Sequence, residues 1–316
     1  MFVIQQNISL KDYSNFKIGG KARYFLEVKS VNDILEGVRK WRETDIESNF
    51  QRKYFVLGGG TNVLFNDAGF DGLVIKNSID EIRMEEDLLV VGAGVLMSKL
   101  LDYCVENSLS GLEWAGGLPG TVGGAVRGNA GAYRGETKDK IVEVDSVNLD
   151  TLEQKTRTYD QCQFDYRTSI FKTTAANEVI TYIKFKLTKG KKEEIESLIE
   201  DKKTKRKLRH PLEYPNVGSI FKNVPIGKFT KEQIKQLSQY VKDDPFAVIP
   251  TAKINFLAGL SGKRVGDAKL SEKHTNFIVN LGNAKAEDVK KLIEIIIKVV
   301  REKFGIELEP EVMFVD

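Results

Sequence analysis

Histidine and cysteine are scarce here, with two of each in 316 residues. Cys104 and Cys162 form no C-x-x-C pair and no Cys/His cluster. That pattern excludes a disulfide-stapled scaffold, gives no metal site, and predicts two buried free thiols in a reducing compartment. His210 lies beside proline and His274 runs into the strand-like NFIVN, so neither has an evident partner for a Ser-His-Asp relay. A dominant charge is missing too: 48 basic residues stand against 45 acidic ones, a formal net charge of +3. So small an excess does not by itself draw a polyanion. No apolar run approaches the roughly 18 residues of a membrane span, and MFVIQQNISLKDYSNF lacks the basic and apolar segments of an export signal. The expectation is a cytoplasmic protein with no membrane insertion and no nucleic-acid partner.

What is present is the composition of an ordinary folded chain, 29% charged and 41% hydrophobic, long enough for two or three subdomains. Short strands are expected at Tyr24 to Val28 and Tyr54 to Leu57. The apolar spacing of Val31, Ile34, Leu35, Val38 and Trp41 predicts a helix between them. GLVIKN, DLLVVGAG and EVITYIKFKL read as further strands, and Val95 to Asn107 as a helix. Lys189 to Arg209 is rich in charge of both signs, with a narrow stripe of Ile195, Leu198 and Ile199, and predicts an exposed helix linking two domains. Val289, Leu292, Ile293, Ile296 and Val300 share one face of a helix from Ala286 to Phe304, stopped by Gly305. The closing IELEPEVMFV reads as a strand confined by Pro310 to an edge or a bulge.

Two glycine-rich stretches stand out. LGGGTNVLFND follows the second strand, and its three glycines let the backbone turn tightly with N–H groups facing one way, as an anion nest requires. GLEWAGGLPGTVGGAVRGNAGAYRGE, Gly111 to Glu136, is denser still and has no repeat period. Neither matches G-x-G-x-x-G or a Walker loop. Together they are consistent either with turns or with nests for the two phosphates of a dinucleotide. The polar candidates are Arg167 in YRTSIFK, Ser219 in VGSIFKN and Glu311 in LEPEV. Singly these read as a surface ion-pair partner, a strand-edge serine and an exposed carboxylate. Jointly they offer a hydroxyl able to protonate a reactive carbanion, with an arginine and a carboxylic acid to stabilise an enolate.

FKIGGKARYF, LGGGTNVLFND, GLPGTVGGAV, NAGAYRGE, YRTSIFK, EYPNVGSIFKN, AGLSGKRVGDAKLSEKHTNFIVN and LEPEV occur in the order found in the UDP-N-acetylenolpyruvoylglucosamine reductases, which the chain closely resembles over nearly its whole length. The resemblance implies an α+β fold: a two-subdomain FAD-binding module of the vanillyl-alcohol-oxidase type plus a C-terminal α+β substrate-binding domain. The implied domains are 1–77, joined by a terminal strand in 306–316, then 78–205, and 206–305 for substrate. It implies non-covalent FAD, NADPH as hydride donor and UDP-N-acetylglucosamine enolpyruvate as substrate, in a monomer or weak oligomer. By motif matching, Ser219 is the proton donor, and Arg167 and Glu311 stabilise the intermediate. Cofactor contacts fall on Gly58, Gly59, Gly60, Thr61, Asn62 and Val63, on Gly120, Thr121, Val122, Gly123, Gly124 and Ala125, and on Asn129, Ala130, Gly131, Ala132 and Tyr133. The first two stretches are expected to act through backbone N–H groups at the pyrophosphate. Tyr166, Arg209, Lys222 and Asn223 fall where substrate is contacted.

No counterpart of a tyrosine-bearing insertion is evident between Lys172 and Lys189, which implies the short type. Departures from the family pattern are His210 before proline, Gly128 ahead of NAGAY and Val224 within FKNVP. Two other functions remain open on the residues alone: an FAD-dependent oxidase of the same flavin fold, and a non-enzymatic nucleic-acid or partner-binding protein using the Lys189 to Arg209 helix.

Overall fold

The computed structural model describes residues 3–44 and 52–316, as α-helices interleaved with short strands. The chain runs β1 (Ile4–Ser9), β2 (Lys21–Val28), α1 (Val31–Glu43), β3 (Tyr54–Leu57), β4 (Val63–Phe65), β5 (Phe70–Asn77), β6 (Ile82–Glu85), β7 (Leu88–Gly92), α2 (Met97–Glu106) and α3 (Val122–Arg127). Strands at Ile141–Asn148, Gln154–Thr158 and Glu178–Phe185 lead into α4 (Lys192–Arg209). Then follow α5 (Lys231–Leu237), α6 (Thr251–Leu257), α7 (Ala286–Phe304) and a last strand, Met313–Val315. The residues form two compact units. The first takes its described residues from Met1–Ile8, Ala22–Gly59 and Phe70–Lys205, the second from Ser9–Lys21, Gly60–Gly69 and Arg206–Asp316.

In the first unit a four-stranded sheet has the order β1-β2-β5-β3, with β2 and β3 each parallel to β5. Helix α1 starts because the Ser30 hydroxyl accepts the N–H of Asp33, satisfying one of the orphan donors of the first turn. Its Ile34, Val38 and Trp41 are fully buried against Leu26, Leu73 and Ile75. A second, antiparallel sheet orders Gln154–Thr158, Ile141–Asn148, Glu178–Phe185, β7 and β6. Behind it α2 and α3 contribute Leu100, Leu101, Val122 and Val126 to a separate core. The stretch between Lys172 and Lys189 is occupied by one of these strands and short connections.

The second unit gathers around α7, whose Val289, Leu292, Ile293, Ile296 and Val300 are all buried, each stabilising the unit by roughly 1.5–3 kcal/mol. Asp67 caps this helix from far away in sequence, accepting the N–H groups of Ala286 at 2.9 Å and Glu287 at 3.3 Å. Gly305 ends it at φ 68°, the left-handed stop expected there. Strand β4 pairs in parallel with Met313–Val315, and Leu64, Phe16 and Ile18 enter this unit's core.

Two expectations need correction. Leu198 is not part of the α4 stripe: it is 48% exposed, and only Ile195 and Ile199 are buried. The tail is not a long interrupted strand. Regular pairing is confined to Met313–Val315, and Pro310 makes a single bridge to Phe221. Pro310 has no N–H to give a ladder.

Candidate active site

In the first unit Gly58 and Gly59, which open the first glycine stretch, meet Gly120 and Thr121 of the second. A Cβ on Gly58 would lie 2.6 Å from Thr121 Oγ1, and one on Gly59 would lie 2.6 Å from the Gly120 Cα. Backbone approach this close admits only glycine. Among the described residues, none of the amides of Gly58, Gly59, Gly60, Thr61 and Asn62 donates to a protein acceptor. Gly60, at φ 64°, supplies the left-handed turn. The second stretch is partly committed. Val122 donates to Val95 O and Gly123 to Ala93 O, both at 2.9 Å, Gly124 reaches Thr121 Oγ1, and Ala125 bonds Thr121 O. Only Gly120 and Thr121 keep amides that donate to no described residue. Within the first unit, the unclaimed N–H groups of Gly58, Gly59, Gly120 and Thr121 on this glycine-rich backbone fit the diphosphate of a dinucleotide cofactor.

Arg167 also belongs to the first unit. It sits in a tight turn closed by Asp165 and Thr168, which exchange backbone hydrogen bonds at 3.2 Å, and it holds a left-handed φ of 57°. Strained backbone of this kind persists only where its surroundings hold it. Here they do: Lys172 Nζ donates to Arg167 O at 2.8 Å, and Asn129 Nδ2 donates to Asp165 O at 3.0 Å. The guanidinium donates to Gly131 O at 2.8 Å and stacks over Tyr166 at 4.9 Å. Asn129 is fully buried and also accepts from Lys138 N, so its side chain shapes the loop. Ala130 and Ala132 complete that turn, with Tyr133 at φ 54° beneath the Lys202 ammonium. Glu136, 7% exposed, pairs through one oxygen with Lys138 and keeps the other buried without a hydrogen-bond partner. Nothing in NAGAYRGE singled out that carboxylate in sequence.

Ser219 and Glu311 lie together in the second unit. Ser219 follows Gly218 (φ 81°) and bridges Phe277; among the described residues its hydroxyl has no hydrogen-bond partner. Glu311 N donates to Ile220 O at 2.7 Å, which places the carboxylate's residue beside the serine's neighbour. The strand carrying Ser219 is clamped by Asn276, which is buried. Asn276 O accepts from Ile220, its Oδ1 accepts from Phe221 N at 3.1 Å and its Nδ2 donates to Phe221 O at 2.8 Å. Sequence reasoning missed this residue, although a buried asparagine between apolar neighbours in HTNFIVN is a usable signal.

Lys222 pairs with Glu309, and Thr251 ties down Lys222 and Asn223, donating its hydroxyl to Lys222 O and its N–H to Asn223 Oδ1. Arg209 is exposed at the end of α4. Val224 is buried and pairs with Ile249. Gly128 has open space where a side chain would go, its nearest neighbour being Gly124 O at 3.7 Å. His210 packs edge-on to His274 and tilted on Phe277. Burial pushes both imidazoles down to about 4, helped at His210 by the adjacent His274. At neutral pH neither carries charge.

Residues 22–152 match the FAD binding domain family, and residues 210–315 match the family described as UDP-N-acetylenolpyruvoylglucosamine reductase, C-terminal domain. The UDP-N-acetylenolpyruvoylglucosamine reductase of Fervidobacterium nodosum is 39% identical over 97% of this chain and 90% of its own. That of Caldicellulosiruptor saccharolyticus is 38% identical with the same coverage. The crystal structure of the Thermus caldophilus UDP-N-acetylenolpyruvylglucosamine reductase covers 100% of both chains at a TM-score of 0.77 and 28% identity. The expected order, an FAD-binding module and then a C-terminal α+β region, is what these matches contain. With relatives this similar along almost its entire length, the chain belongs to the UDP-N-acetylenolpyruvoylglucosamine reductase family of FAD-dependent oxidoreductases.

Proposed function

We propose that this protein reduces the enolpyruvyl ether of UDP-N-acetylglucosamine enolpyruvate to UDP-N-acetylmuramate, with FAD held non-covalently and NADPH as hydride donor. The observation that carries this reading is the 2.7 Å hydrogen bond from Glu311 N to Ile220 O, which puts the backbone of the acid next to the residue that follows Ser219, whose hydroxyl has no hydrogen-bond partner among the described residues. Bound FAD supplies the two-electron chemistry, accepting hydride from NADPH and delivering it to the methylene carbon of the substrate. The unclaimed amides of Gly58 and Gly59, with those of Gly120 and Thr121, would hold its diphosphate.

Hydride addition breaks the carbon–carbon double bond and leaves enolate character next to the substrate carboxylate. Arg167 meets that charge with a guanidinium held in place by Gly131 and Tyr166, and Glu311 in its protonated form donates a hydrogen bond. Ser219 then gives its proton to the adjacent carbon. A hydroxyl suffices because the carbanion is a strong base. Tyr166, Arg209, Lys222 and Asn223 bind the UDP-sugar, Lys222 with its ammonium poised by Glu309. Residues 1–77 and 78–205 serve FAD and residues 206–305 serve substrate, in the short form of the family. The reaction belongs in the cytoplasm, where NADPH and nucleotide sugars occur, and the working unit is a monomer or weak oligomer. Because both substrates use one hydride-exchanging centre, the kinetics are ping-pong.

The test is anaerobic mixing monitored by flavin absorbance. NADPH should bleach the flavin band and the enolpyruvyl sugar should restore it. Ser219→Ala should slow the second step by on the order of 10²-fold while leaving the first nearly unchanged. Equal losses in both steps would sink the role of Ser219, and a bleached flavin restored only by oxygen would favour an oxidase.

A further inference from the structure

Asn62 lies at the end of the first glycine loop, a stretch expected to meet the cofactor through its backbone. Its side-chain amide and its carbonyl are engaged within the second unit. Asn62 Nδ2 donates to Glu311 O at 3.1 Å, and Asn62 O accepts from the N–H of Met313 at 3.1 Å. The register of β4 on Met313–Val315, with Val63 level with Met313, brings these atoms into range. On its other side Glu311 donates its N–H to Ile220, the neighbour of Ser219. The backbone of the acid is therefore gripped twice, once by the glycine loop and once by the strand that carries the proton donor.

We infer that Asn62 is a positioning residue, fixing Glu311 relative to Ser219 through its side-chain amide. This rests on the role proposed above for Glu311. The β4 pairing with the last strand survives loss of this one donor, so the amide's contribution is to geometry at the acid more than to holding the chain end. Positioning errors of a fraction of an ångström are enough to slow a proton or charge transfer.

A double-mutant cycle on the FAD-loaded enzyme tests it, comparing the wild type, Asn62→Ala, Glu311→Gln and the double variant in the two anaerobic half-reactions. FAD affinity is measured separately by fluorescence titration. Asn62→Ala should slow flavin reoxidation by the enolpyruvyl sugar about fivefold to tenfold, the scale of one lost hydrogen bond, with reduction by NADPH and FAD affinity changed by less than about twofold. In the Glu311→Gln background the same substitution should add less than about twofold, because the group it acts through is gone. Equal losses in both backgrounds would overturn the inference. So would FAD affinity weakened about tenfold with an unchanged reoxidation rate at saturating FAD, which would make Asn62 a cofactor ligand. If Glu311→Gln alone leaves reoxidation intact, the role of Glu311 fails and the inference goes with it; an effect of Glu311→Gln without coupling condemns the inference alone. Asn62→Ser, measured in the same way, substitutes for Asn62→Ala if that variant does not fold.

Discussion

His210 and His274 are the residues through which acid should first be felt. Burial holds both folded-state values near 4, against 6.5 for an ordinary imidazole. The neutral form is favoured in the fold, so the unfolded chain binds more protons between those two values and stability rises with pH there. Their contribution is complete above about pH 6.5 and is lost as the pH falls toward 4, by an amount on the order of 3 kcal/mol for His274. Urea midpoints measured between pH 7.5 and 5 should decline on acidification, and His274→Gln should flatten the decline. A slope untouched by that substitution would remove the pair from the account. The same burial lifts the thiols, Cys104 to about 12 and Cys162 to about 11, so neither is an active nucleophile. Buried free thiols are what the spacing of the two cysteines led one to expect.

Among the elements, the paired glycine loops are the most demanding. Gly59→Ala places a methyl group 2.6 Å from the Gly120 Cα, and neither side of that contact is a movable side chain. The loops must part, and FAD affinity should weaken about tenfold or more, roughly 1.4 kcal/mol, measured by flavin titration. An unchanged affinity would show that the loops yield freely or that the nest lies elsewhere. The helices were the most legible elements, because periodicity reports burial directly: α7 runs from Ala286 to Phe304, and α1 buries Ile34, Val38 and Trp41 as their spacing implied. Leu198 misled because a three-residue spacing to Ile195 is compatible with either side of a narrow stripe. The glycine motifs signalled close backbone approach but not which amides would stay unclaimed, since the bonds of Val122 and Gly123 go to Val95 and Ala93, distant in sequence. Likewise the serine, arginine and glutamate were legible only as members of ordered motifs. The clamp by Asn276 and the grip of Asn62 depend on pairings that no local pattern encodes.

At the scale of the whole molecule, the second unit draws on three separated segments. Phe16, Ile18 and Leu64, each at most 2% exposed, sit in a core otherwise built from residues beyond Arg206. A fragment starting at Arg206 lacks all three. Vacating one large core side chain costs about 2–5 kcal/mol, and a whole domain has only about 5–15 to lose. Such a fragment should show no cooperative urea transition by circular dichroism, although it contains the entire C-terminal family match. A sharp transition would contradict this. The same threading sets a schedule during synthesis. Phe16 and Leu64 leave the ribosome early, but the residues that cover them come last. At about 5–20 residues per second the nascent chain carries those apolar groups uncovered for some tens of seconds. The order of translation thus makes this protein a client for whatever shields emerging hydrophobic segments.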